Sequence, residues 1–421
     1  MAQTLNKLSK LGNNQTESER LHMNFHNKNT IYNSIAGGAF RRFIKVILLS
    51  STILLSVMAN ANNDSAFQHI AAMEKALTLA QIQTAHGPAS LLVLAQEGQQ
   101  ISAVNLSQVF DLYTNDPLDI VVQVGSEKVR ATAQQSPQRF ELSQLIIPTG
   151  LSSEQLAAGG NYAAHSEESG LEDVFLFPKY SQPTPGNQAL SVNADQLLDY
   201  EIEICTRFDR DIRSTDDFNK ATKAFFLCGD FSDRAALMRN IDPDDWESGA
   251  GFTDGKSGQG LFPIGFFTVI PNDWLSFLND IQLQLSVNND IRQQAKADQM
   301  ILKIDGILNL ALSEEESMRW TYKGKNIPLL DEGVLYKGQS IVSGTPAGVV
   351  FRPPENTFIA SCVLKWLVTG QFFKQRITDY VIESHIEAGL ESKAYLQPGD
   401  HIAMSASYLG GFDFTIESSK K

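Results

Sequence analysis

Asp199-Tyr200-Glu201-Ile202-Glu203-Ile204 sets two acids one residue apart inside an apolar run. Strand side chains two positions apart share a face, so Glu201 and Glu203 are expected on one side, with Tyr200, Ile202 and Ile204 packed on the other. Adjacent carboxylates repel, and a hard dication is one way to neutralise them. A solvent-facing edge of an amphipathic strand would carry the same letters. Downstream, Phe225-Phe226-Leu227-Cys228-Gly229-Asp230 is an apolar run ending on an acid. A carboxylate at the end of a buried strand supplies a third oxygen ligand and leaves coordination positions for water and substrate.

Three further motifs flank this pair. In Tyr162-Ala163-Ala164-His165-Ser166-Glu167-Glu168, a helical turn places His165 and Glu168 on one face, where the carboxylate orients the imidazole for taking a proton from water. Gly255-Lys256-Ser257 lacks the strand-to-helix context of a phosphate-binding loop, so Lys256 reads as a fixed positive charge. Ser343-Gly344-Thr345-Pro346-Ala347-Gly348 is a tight turn that presents the Thr345 hydroxyl to a carboxylate.

The chain around these motifs divides by composition. Its 421 residues are 43% hydrophobic and 19% charged, as in a globular protein. In residues 1–61, Arg41, Arg42 and Lys45 border an apolar run from Phe43 to Met58 that ends in Ala59-Asn60-Ala61, the layout of a signal peptide; a start at Met23 suits it better. Export, to the periplasm after cleavage, is expected, with an uncleaved membrane anchor as the alternative. The leader is net basic, so the remainder is more acidic than the whole chain's −14, which speaks against nucleic acid as a partner. Residues 62–148 read as a small α+β unit, with a helix from Ala66 to Leu79, strands at Pro88–Ala95 and Ile120–Val124, and a turn at Asn115-Asp116-Pro117. Residues 149–421 read as predominantly β, with helices near Asp273–Leu278 and Thr357–Leu390.

Taken in order, His-x-x-Glu, Glu-x-Glu, strand-Asp, Gly-Lys-Ser, Gly-Thr-Pro-x-Gly-Val and Leu396-Gln397-Pro398-Gly399-Asp400 resemble the fumarylacetoacetate hydrolase family from about residue 155 to the end. Asn288-Asn289-Asp290-Ile291-Arg292-Gln293 is similar to that family's hairpin, with Asn289 where Gly is usual. The resemblance implies an α+β fold with a mixed β-roll core of the fumarylacetoacetase C-terminal type, a homodimer, and Mg²⁺, Mn²⁺ or Ca²⁺ as cofactor. It implies Glu201, Glu203 and Asp230 as metal ligands, His165 and Glu168 as the water-activating pair, and Lys256, Arg234 and Thr345 on the substrate side. The implied reaction is hydrolysis of a C–C bond in an acylpyruvate, β-diketone or other 2-oxo acid through a metal-stabilised enolate. Alternatives on the same scaffold are a hydratase, isomerase or decarboxylase, or an exported binding protein without turnover.

The chain also departs from the family pattern. Phe175-Leu176-Phe177-Pro178 stands where the family has Phe-Leu-Lys-Pro, so a basic group is expected to be missing or displaced to Lys179. Ala235 follows Arg234 where Asp is common, and insertions at about 313–337 and 351–394, the latter helical, are atypical. By strand alternation Cys205 and Cys228 point to the same face as the acids, either as a disulfide or as two buried thiols.

Overall fold

The computed structural model describes residues 67–242, 248–314 and 318–419; the leader motif lies outside them. In chain order the longer strands are β1 (Ala76–Thr84), β2 (Gly87–Glu97), β3 (Gln100–Asn105), β4 (Gln138–Glu141), β5 (Glu154–Gly159), β6 (Phe175–Tyr180), β7 (Leu190–Val192), β8 (Ile202–Phe208), β9 (Lys223–Gly229), β10 (Thr268–Pro271), β11 (Gln282–Val287), β12 (Asp290–Lys296), β13 (Ser340–Val342), β14 (His401–Ala406) and β15 (Gly410–Ser418). One sheet runs β4-β3-β2-β1-β10-β9-β8-β13-β5-β6, and a second runs β12-β11-β14-β15-β7. Both are mixed: β13 pairs parallel with β5, and β15 with β7, among antiparallel neighbours. The helices that matter below are α1 (Pro117–Val124), α2 (Ala163–Ser169), α3 (Arg234–Asn240), α4 (Phe252–Lys256), α5 (Trp274–Asn279), α6 (Ile304–Ser313), α7 (Asn356–Val368) and α8 (Ile377–Ser392).

Strand β8 lies between β9 and β13 and is buried along its whole length. Its alternation therefore separates two buried faces, as in a strand covered on both sides. Ile202 and Ile204 enter the main core with Phe225, Phe226 and Leu227 of β9. Arg207 is fully buried, with its guanidinium on Asp116 in the amino-terminal segment.

That segment shares a sheet with the rest, because β1 pairs with β10 from Ala76 opposite Pro271 to Leu79 opposite Thr268. Two local expectations there are corrected. Ala76 onward is a strand: Leu77 and Leu79 face one buried cluster and Ala76 and Ala80 another, so a doubly buried strand had the look of a helical run. Ile120–Val124 belongs to a helix, because Asp116 caps it, accepting from the Leu118 N–H at 2.9 Å, and Pro117 occupies its first turn. The β-branched run Ile120-Val121-Val122 favours a strand by propensity, and packing of Ile120 and Val121 against Leu77 and Leu92 overrides it. Beyond residue 149, α5, α7 and α8 fall where helices were expected, whereas α3, α4 and α6 were not foreseen.

Cys205 and Cys228 form a disulfide across β8 and β9, with Cα atoms 5.9 Å apart, which decides between bridge and thiols. It joins the strand that carries Glu203 to the strand that leads to Asp230. Replacing both cysteines by alanine is expected to lower stability by about 3 kcal/mol, the chain-entropy value for a loop of this length. Denaturant unfolding measures this directly, and an unchanged midpoint would contradict a stabilising bridge.

Candidate metal centre and active site

Asp230 follows β9 directly, and its N–H donates to the Glu201 carbonyl at 3.0 Å, which sets the two loop-end acids side by side. Glu203, on β8, sits opposite Cys228. One oxygen from each of Glu201, Glu203 and Asp230 lies within 4.8 Å of the others, and all three residues are buried. Asp199, also buried, adds a fourth carboxylate nearby.

Three buried cations oppose them. The Lys256 ammonium reaches Glu201 Oε2 at 2.6 Å and Asp230 Oδ2 at 2.8 Å. Lys179 Nζ stands 2.6 Å from Asp230 Oδ1, and the Arg234 guanidinium joins Asp199, at 2.9 Å, to Glu201. Burial works against ionising Lys256, yet the Asp230 and Glu201 charges raise its pKa above the lysine norm. Asp230 is likewise held below the usual carboxylate range, against its burial, by Lys179 and Lys256. Glu203 is the exception: burial, then the Asp230 and Glu201 charges, push it well above that range.

The carboxylate surplus collects on Glu203. Its Oε2 accepts from the Gly344 N–H, while its buried Oε1 has no hydrogen-bond partner among the described residues. An orphaned carboxylate oxygen facing two further acids fits a hard dication, whose preferred ligands are oxygens.

Of the remaining predicted residues, His165, Arg234, Lys256 and Thr345 meet around one narrow cavity of about 30 Å³, room for a water or two, lined also by Phe175 and Glu201. His165 and Glu168 do lie on one face of α2, with His165 Nδ1 3.6 Å from Glu168 Oε2. Glu168 is partly buried, which raises its pKa, but the adjacent His165, the Gly348 N–H at 3.0 Å and the Arg352 charge together bring it below the carboxylate norm. Gly348 adopts φ +113°, and a Cβ there would stand 1.9 Å from the Arg292 carbonyl oxygen, so only glycine lets this N–H approach. The Thr345 hydroxyl is engaged by the protein itself: it donates to the Ile202 carbonyl at 3.1 Å and accepts from Gln293 Nε2 at 2.9 Å.

Three residues of the site, Asp199, Arg352 and Gln293, were not among the predicted ones. Lys179 is the displaced basic group, and it stands beneath Asp230 because Phe175, Phe177 and Lys179 share a face of β6, a signal that period-two counting contains. Asp199 accepts from the Val350 and Phe351 N–H groups at 2.9 and 3.1 Å, and Arg352 binds Glu168, so the start of the 351–394 insertion is tied to both halves of the site. Gln293 accepts from the Ile202 N–H at 3.0 Å and fixes Thr345. Lys179→Met leaves Asp230 with one ammonium fewer in a buried setting, and is expected to cost about 3–5 kcal/mol of stability, partly recovered by Mg²⁺ or Mn²⁺. Denaturation with and without the ions measures both effects; full stability without metal would contradict the charge balance described.

Comparison with known proteins places this geometry in a family. Residues 154–417 match the family described as fumarylacetoacetate (FAA) hydrolase C-terminal. An uncharacterized protein of Staphylococcus aureus (strain USA300) is 26% identical over 260 residues, which cover 58% of this chain and 76% of that protein. Among solved structures, a fumarylacetoacetate hydrolase from psychrophilic Exiguobacterium antarcticum has a TM-score of 0.50 at 18% identity, covering 82% of this chain and 100% of that one. A probable 2-hydroxyhepta-2,4-diene-1,7-dioate isomerase from Mycobacterium abscessus has a TM-score of 0.50 at 17% identity, with the same coverage of both chains. At these identities the solved structures speak for the shared fold. The family match extends over more than half of the sequence, and the chain belongs to the fumarylacetoacetate hydrolase family.

Proposed function

We propose that this chain is a divalent-cation-dependent hydrolase that cleaves a C–C bond in an acylpyruvate or a related β-diketone or 2-oxo acid. The observation that carries the reading is that His165 lines the same narrow cavity as Glu201, one of three buried acids that include an orphaned carboxylate oxygen. Glu201, Glu203 and Asp230 would hold Mg²⁺, Mn²⁺ or Ca²⁺, which when bound polarises a ketone oxygen and offsets negative charge developing there.

The rest of the chemistry falls to the chain's own groups. Arg234 and Lys256 line the cavity and give it positive charge for a substrate carboxylate. His165 Nδ1 lies 3.6 Å from Glu168 Oε2, so Nε2 is the nitrogen that would take a proton from water. Arg352 and the Gly348 N–H keep Glu168 ionised, so it steadies the imidazolium that results. The water oxygen bonds to the distal carbonyl carbon, the C–C bond breaks, and its electron pair passes to the oxo-acid fragment. That fragment takes up a proton and leaves as pyruvate or a close analogue beside the second acid. The cavity is too small for such a substrate, so α2 or Phe351 must give way on binding. The leader supports export, and the Cys205–Cys228 bridge accords with an oxidising compartment. We further infer a homodimer on the strength of the family resemblance alone.

Product analysis with a panel of acylpyruvates and 2-oxo acids tests the reaction. Release of pyruvate with a second acid is expected; a product of unchanged mass would replace the hydrolase by an isomerase. Asp230→Ala is expected to abolish Mg²⁺ and Mn²⁺ binding in calorimetry, whereas wild-type affinity in the variant would refute the ligand set. His165→Ala is expected to lower kcat by about 10²–10⁴ with metal affinity retained. Unaltered turnover would remove His165 from the mechanism.

A further inference from the structure

The helical insertion ends in a tip that nothing among the described residues covers. Along α7 only Cys362 is buried, and the mean character of the helix is apolar all round. Leu364, Leu367, Val368, Phe372 and Phe373 are 64%, 51%, 77%, 45% and 84% exposed. They account for five of the twelve exposed large apolar side chains among the described residues, gathered within ten positions. The tip is ordered by its own contacts: Trp366 Nε1 donates to the Gln375 carbonyl at 3.0 Å, and the Trp366 and Phe372 rings meet edge to face at 5.9 Å. Its base is fixed separately, through Ile386 of α8 packed with Ala235 and Met238 of α3. A helix that is apolar on all sides is normally buried in protein or in lipid.

Charge separates the candidate covers. From Asn356 to Thr378 the sequence carries Lys365, Lys374 and Arg376 and no Asp or Glu, in a chain of formal charge −14. Arg376 pairs with Asp379 at the edge of α8, while Lys365 and Lys374 have no ion pair among the described residues. Two copies meeting tip to tip would bring these like charges together, which is unfavourable for an isologous contact. A bilayer with anionic headgroups accepts both features: Leu, Val, Phe and Trp enter the acyl boundary while lysines on long stems reach the headgroups. No helix of the described residues is long and apolar enough to cross a membrane, so the tip would lie in the interface.

We propose that the α7–α8 tip, centred on Leu364, Leu367, Val368, Phe372 and Phe373, docks this protein onto an anionic lipid surface. Trp366 reports the contact even where the leader also holds the chain at the vesicle. Full-length protein is mixed with phosphatidylcholine–phosphatidylglycerol vesicles containing brominated acyl chains. The expected result is a quenched emission component that Trp366→Phe removes, that Val368→Asp with Phe373→Asp reduces about tenfold, and that vesicles of phosphatidylcholine alone weaken. Turnover in solution by the double Asp variant stays at the wild-type level, so the outcome is independent of the proposed reaction. Equal quenching of wild type and Trp366→Phe would overturn the proposal. So would sedimentation showing self-association that the double Asp variant abolishes, with no quenching of Trp366; a second copy would then be the cover. Equal quenching in neutral and anionic vesicles would overturn the role given to the lysines.

Discussion

Four buried carboxylates, Asp199, Glu201, Glu203 and Asp230, face three buried cations, Lys179, Arg234 and Lys256, and the structure is organised around that imbalance. Buried charge is tolerated only when paired and hydrogen-bonded, so each of these groups dictates where a neighbour must stand. Strands β8 and β9 supply the frame, with the bridge between Cys205 and Cys228 crossing it beside Glu203. The backbone bond from Asp230 to Glu201 closes its end. Arg207, further along β8, ties the same strand to Asp116 and so to the amino-terminal strands. What remains unbalanced is one carboxylate, and it is expressed at Glu203, where an oxygen lacks a partner and protonation is favoured in the absence of a further positive charge.

The features peculiar to this chain act on that centre. The lysine expected one turn of strand earlier is replaced by Lys179, whose ammonium reaches Asp230 from beneath and also donates to the Leu261 carbonyl at 3.0 Å. The insertion does not merely hang from the core: its first residues give Asp199 two backbone donors and give Glu168 its arginine. The cavity wall and the external helical tip are thus parts of one continuous segment, from Phe351 to Ser392.

The centre was legible in the sequence to the extent that its residues obey short-range periodicity. Glu201, Glu203 and Asp230 stand in alternating or strand-end patterns, and His165 and Glu168 in a helical one; spacing marks each motif singly, and the family resemblance is what groups them. Asp199 was invisible as a participant because its partners, Val350, Phe351 and Arg234, are distant in sequence. Thr345 shows the converse limit: the turn was evident, but that its hydroxyl is spent on Ile202 and Gln293 depends on tertiary placement. In the fold, β1 and α1 were misread for a common reason. Burial on both faces erases the polar half of an amphipathic pattern, and a β-branched run capped by Asp116-Pro117 carries two opposed local signals. The family motifs succeed where these fail because they combine many weak spacings over residues 154–417.

Anomalous diffraction from crystals grown with Mn²⁺ tests whether the buried acids hold a cation. One strong peak is expected among the carboxylates of Glu201, Glu203 and Asp230, with Glu203 Oε1 as a ligand and the Lys256 ammonium moved aside or sharing Glu201 and Asp230. Crystals that hold no Mn²⁺ at saturating concentration, with Lys256 still seated between Glu201 and Asp230, would contradict it and leave the cluster a salt-bridge network.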